Sequence, residues 1–233
     1  MRKVFFAIQT VLFFLLKIYF IFNRYIFIFD VINYNPKQIR MKKIILSAIA
    51  VMAFAFSNAQ ETRFGIKGGL NITSFAGGDY WDAKSLVGYQ IGGFAEIKII
   101  DRLSIQPEVL FSAQGARIDV GNSDSDIKLN YINVPVLAKF YITKQFTAEA
   151  GPQLGFLVSA KNEGDDVKDN FKSVDTGFNF GVGYNFTDNF SVGARYTVGL
   201  ANILDNNVDT IDEYYDSPKN SVFALTLAYK FNK

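Results

Sequence analysis

From Arg63 onward the chain alternates apolar and polar residues with a period of two, the mark of strands lying between two unlike surroundings. In the first such segment Phe64, Ile66, Gly68, Leu70 and Ile72 share one face, and Arg63, Gly65, Lys67, Gly69 and Asn71 share the other. Seven further segments repeat the pattern: 86–99, 103–114, 127–142, 145–159, 174–186, 190–200 and 221–231. In 174–186, Phe178, Phe180, Val182, Tyr184 and Phe186 oppose Asn179, Gly181, Gly183 and Asn185. In 221–231, Phe223, Leu225, Leu227, Tyr229 and Phe231 oppose Thr226 and Lys230. The pattern predicts an all-β domain of about eight antiparallel strands in up-and-down order over residues 60–233.

The connections sharpen this picture. Residues 100–102, 143–144 and 187–189 read as tight turns, whereas 73–85, 116–126, 160–172 and 202–219 are long, polar and acidic. Short turns at one rim and long loops at the other are the asymmetry of outer-membrane barrels, and an even strand count puts both termini at the short-turn, periplasmic rim. A soluble barrel or sandwich would show the same period, because turning the sheet inside out preserves the alternation. Three features favour the transmembrane β-barrel. The polar face is glycine-rich with isolated charges of both signs. Aromatic residues (Tyr89, Phe111, Tyr184, Phe186, Phe190, Tyr196) sit near strand ends on the apolar face. The chain closes on the aromatic strand end Tyr229-Lys230-Phe231, which reads as an assembly signal for the barrel-insertion machinery. Pro107, Pro135 and Pro152 interrupt the pattern, and each is expected to mark a bulge or a strand end.

The first 59 residues follow no such pattern. Met41-Lys42-Lys43, the apolar run 44–56 and Ser57-Asn58-Ala59 form a basic start, a hydrophobic region and a small-residue cleavage site, so 41–59 is expected to be a signal peptide removed before Gln60. Residues 4–22 are apolar enough to span a bilayer but contain Lys17. Residues 1–40 are therefore either translated upstream sequence ahead of a true start at Met41 or an N-terminal membrane helix.

Composition narrows the chemistry. The chain has no histidine and no cysteine. Disulfides, Cys metal sites and histidine-based hydrolytic mechanisms are thereby removed. The formal net charge of +2 averages two unlike parts. Residues 60–233 hold 16 Lys/Arg against 21 Asp/Glu, a net charge near −5. That sign is wrong for nucleic acid. No phosphate-binding glycine loop or metal motif occurs, and no cofactor is expected. Asn122-Ser123-Asp124-Ser125-Asp126 spaces oxygen ligands loosely like a calcium loop but lacks the Gly-then-Glu completion. The informative charges lie on the polar faces of the strands: Lys67, Glu96, Lys98, Glu108, Lys139, Glu149, Asp175, Arg195 and Lys230. Inside a barrel these must pair or meet water. They read as a structural salt-bridge network, with a proton or ion path as the alternative.

Several stretches together resemble the PorT-like outer-membrane β-barrel domain proteins of Bacteroidetes. They are 64–71 (FGIKGGLN), 103–112 (LSIQPEVLFS), 131–140 (YINVPVLAKF), 150–155 (AGPQLG) and 195–200 (RYTVGL). The resemblance spans essentially all of 60–233 and includes the strand prolines. It implies the barrel fold, the outer membrane and an association with protein secretion, and it supplies no catalytic residues. The expected function is a non-enzymatic outer-membrane barrel with a structural, adhesive or secretion-accessory role. The alternatives are a small-solute channel and, more remotely, a lipid-modifying enzyme. The expected partners are outer-membrane lipid and lipopolysaccharide, the barrel-assembly machinery, and a secretion-system or cell-surface partner.

Overall fold

A computed structural model describes residues 62–77, 83–120, 123–205 and 218–231. The signal segment 41–59, the stretch 1–40, and the loop acids Asp79, Asp82, Asp209, Asp212, Glu213 and Asp216 lie outside the described residues. Eight long strands follow one another: β1 (Thr62–Ala76), β2 (Ala83–Ile100), β3 (Leu103–Val120), β4 (Ser123–Tyr141), β5 (Phe146–Asn162), β6 (Val174–Asn185), β7 (Phe190–Gly199) and β8 (Lys219–Lys230). Each pairs antiparallel with its sequence neighbours, and β1 pairs with β8 from Gly65–Lys230 to Ala76–Lys219. The sheet closes as an up-and-down barrel with no open edge.

The alternation seen in the sequence separates outside from inside. Ile66, Leu70 and Ile72 on β1, Val87, Tyr89 and Ile91 on β2, and Phe223, Leu225, Leu227 and Tyr229 on β8 are all exposed. The intervening Lys67, Asn71 and Thr73 on β1, Gln90 and Glu96 on β2, and Thr226 and Lys230 on β8 are buried. This inverts a soluble barrel. A continuous exposed apolar surface of this kind belongs in hydrocarbon, with the polar groups satisfied inside. Near the short-turn rim the outer face carries an aromatic girdle. Phe146, Tyr184, Phe186 and Phe190 form a chain of ring contacts at 4.9, 5.0 and 5.9 Å. Tyr229 and Phe231 meet edge to face at 5.9 Å.

Glycines admit close backbone approaches on the inner face. A Cβ on Gly92 would lie 2.0 Å from the Val109 carbonyl oxygen of β3, so no side chain fits there without parting the two strands. The prolines behave differently from expectation. Pro107 pairs with Val136, Pro135 with Gln153 and Pro152 with Phe178, all mid-strand, and the register on either side of each is unchanged. The register shifts fall elsewhere, between Ser85 and Gln90, between Lys98 and Ile100, and between Asn130 and Tyr131. A constant register carries the chain past each proline, although the ladder pairing lapses beside Pro107 and Pro135.

The long-loop end also departs from the sequence reading. Residues 116–126, expected as a loop, are mostly strand: β3 runs to Val120 and β4 begins at Ser123. The extension is held by ladder pairs and by the Arg117–Asp126 ion pair at 2.7 Å. Within this stretch Asp126 serves Arg117, and Ser125 Oγ donates to Asn162 Oδ1 at 2.5 Å. Beyond β5, Glu163 and Gly164 both have positive φ (51° and 107°). Together they make a two-residue hairpin of the type that follows strand twist, returning the chain as Asp165–Asp166 against Lys161–Asn162.

Candidate functional site

What the strands position is the barrel interior, which is built in layers. At the long-loop end it is apolar. Phe75, Ala116, Ile127, Leu129, Tyr131, Leu157 and Ala160 point inward and pack with Phe171, Ile203 and Leu204 from the two loops above them. Phe171 bridges to Leu204. Lys172 N–H donates to Ile203 O at 2.8 Å, and Asp205 N–H donates to Asn170 O at 3.0 Å. The loops after β5 and after β7 are thus stitched together across the mouth. The apolar residues of these loops form a cap, although the sequence presents them as solvated acidic segments. Isolated large apolar residues in a polar loop (Phe171, Ile203, Leu204) were the available signal.

Beneath the cap lies a layer of amide and hydroxyl groups. Asn71 Nδ2 donates to Ser112 Oγ at 3.0 Å, as does Gln114 Nε2. Thr197 Oγ1 donates to Asn179 Oδ1 at 2.7 Å. Asp175 belongs to this end. It accepts from Asn220 Nδ2 at 2.8 Å, which also reaches the Tyr131 hydroxyl at 3.3 Å.

Two charge clusters fill the centre and the short-turn half. In the central one Glu108, fully buried at 0% exposure, is the hub. Its Oε1 accepts from Lys67 Nζ at 2.5 Å, Gln106 Nε2 at 2.6 Å and Arg195 Nη2 at 3.0 Å; its Oε2 accepts from Arg195 Nη1 at 2.7 Å. Arg195 also donates to Glu149 Oε1 from Nε at 2.8 Å and from Nη2 at 2.6 Å. Lys67 lies 5.6 Å from the centre of the Phe94 ring, which faces inward despite being apolar. In the second cluster Lys139 and Lys230 both face Glu96 Oε2, at 3.2 and 3.6 Å, and the Tyr141 hydroxyl donates to Glu96 Oε1. Gln106 joins the clusters by accepting from Lys139 Nζ at 3.3 Å while donating to Glu108. A remaining gap of about 20 Å³, bordered by Lys67, Gln106, Lys139, Glu149 and Lys230, has room for about one water molecule.

Of the nine charges read from the sequence, the structure therefore brings seven together. Lys98 does not join them: it stands at the short-turn rim, 39% exposed, paired with Asp101 at 3.2 Å. It lies opposite Ser104 in the regular register, two residues before the end of β2 at the short turn. Asp175 is separated from the cations by the amide layer. Gln106, which the alternation puts on the polar face with Glu108, completes the site, as do Tyr141 and Phe94, which neither charge nor alternation singles out. No group of three or more metal-ligating acidic side chains occurs among the described residues.

The geometry matches barrels of known structure. Neisserial surface protein A is 16% identical, with 74% of this chain and 100% of that one covered at a TM-score of 0.51. Ail, the attachment invasion locus protein of Yersinia pestis, is 17% identical over 74% of this chain and 100% of its own, with a TM-score of 0.42. OprG from Pseudomonas aeruginosa is 15% identical over 73% and 96%, also at 0.42. The likeness to Neisserial surface protein A bears on fold alone. No curated protein matches the chain. The sequence pattern of the outer membrane protein beta-barrel domain family matches residues 57–205, and the chain, an eight-stranded antiparallel barrel of the outer membrane, belongs to that family.

Proposed function

We propose that this protein is a closed, non-enzymatic outer-membrane barrel that acts through its surfaces in a structural, adhesive or secretion-accessory role, and that it carries no solute. The observation that supports this reading is the filled lumen: an apolar cap, an amide layer and two bridged charge clusters succeed one another along the barrel. An eight-stranded barrel has an interior just wide enough for side chains to fill. An apolar constriction additionally disfavours a water column. The absence of histidine and cysteine from the sequence, with each clustered carboxylate engaged by cations, supports a protein without catalysis. The stretches that resemble PorT-like proteins support a secretion-accessory role within this range. Tyr229 and Phe231, on the outer face of the last strand and its end, suit recognition by the barrel-assembly machinery, and the outer apolar band suits lipid and lipopolysaccharide. A deletion strain tests the reading. Uptake of small hydrophilic solutes should stay at the parental level while surface attachment or protein export falls. Reduced uptake, restored by the gene, would refute it.

A further inference from the structure

The short-turn end of the lumen opens into a vestibule of about 480 Å³, bordered by Arg63, Glu96, Lys98, Lys144, Asp188 and Lys230, with Asp101 and Tyr141 also at its wall. In outer-membrane barrels this rim faces the periplasm. Its charges do not balance. Lys139 and Lys230 share one oxygen of Glu96, whose other oxygen is taken by Tyr141. Lys139 has a second acceptor in Gln106. Lys230 has no such second acceptor among the described residues: it is 4% exposed, and its ammonium stands 3.6 Å from the Glu96 oxygen it shares with Lys139. At the rim Lys98 is matched by Asp101, whereas Arg63, among the described residues, reaches the backbone carbonyl of Asp188 at 3.5 Å. A buried ammonium with three donors and a long contact to a shared carboxylate is costly unless an acceptor reaches it. A cleft lined by an excess of one sign concentrates the opposite ion.

We propose that this vestibule is a binding site for one small oxyanion of the phosphate class, entering from the periplasmic side and accepting hydrogen bonds from the Lys230 ammonium with Arg63 at the rim. Phosphate supplies several strong acceptors in a small volume, which suits a point-like ammonium donor. Glu96 limits the affinity, since its carboxylate competes for the same lysine. The site is independent of whether the barrel conducts.

Calorimetric titration of inorganic phosphate into the folded protein in detergent micelles, at ionic strength fixed with sodium chloride, tests this. Wild type should show one saturable site. Lys230→Met should weaken it at least about tenfold through loss of a charge-assisted hydrogen bond, and Glu96→Gln should tighten it. Arg63→Gln, at an exposed position on the rim, should weaken it severalfold and serves if Lys230→Met does not fold. Heats in wild type no different from those of added chloride, or phosphate binding unchanged in Lys230→Met or Arg63→Gln, would overturn the proposal.

Discussion

Replacing Glu108 with Ala should cost about 3–5 kcal/mol of barrel stability, because it strands two buried cations at once. Lys67 and Arg195 both end on this carboxylate, and Gln106 donates to it as well. Arg195 would keep Glu149, but Lys67 would lose its ion-pair partner among the described residues. Urea unfolding in phospholipid vesicles measures the effect. A double variant separates its causes. Glu108→Leu with Lys67→Met removes both ends of one pair and should recover part of the loss, since matched apolar groups replace a buried ion pair at little cost. A loss below about 1 kcal/mol in Glu108→Ala would mean that water reaches Lys67 and Arg195, and that the lumen is not filled as described.

The second large effect is on the outer face. Leu225 is 52% exposed in mid-strand, paired laterally with Leu70 and Ala194. In lipid, Leu225→Lys should cost about 2–4 kcal/mol, the penalty of a cation near the bilayer midplane, whereas Phe231→Asp at the rim should cost roughly 0–1 kcal/mol. The contrast depends on depth, so it reports orientation in the membrane rather than general intolerance of charge. If Leu225→Lys were neutral in vesicles, the apolar face would not be the lipid face.

These two predictions rest on parts of the structure that differ in how far the sequence reveals them. Outside and inside follow from the alternation because a strand between lipid and a packed lumen has two chemically unlike faces along its whole crossing. Lys67, Glu108, Glu149 and Arg195 are legible for the same reason: a charge on the glycine-rich face of a small barrel has nowhere to go but another charge. The pattern fails where the surroundings change. Toward the long-loop end the alternation of 116–126 fades into Asp, Ser and Asn while ladder hydrogen bonds and Arg117–Asp126 carry the strands on. Leu129, Tyr131 and Leu157 sit on the inner face, where the period calls for polar residues, because the loops lay Phe171 and Ile203 against them. That contact joins residues far apart in the chain, and no local pattern records it. Pairing partners inside the lumen are hidden likewise: Glu108 and Arg195 are 87 positions apart.

Single-channel recording of the folded, full-length protein in planar bilayers tests the closed lumen most directly. The structure predicts no stable conductance from wild type, and from Arg195→Ala a destabilised barrel rather than an open pore. A steady wild-type current, abolished by heat denaturation and altered in size by Arg195→Ala, would contradict it.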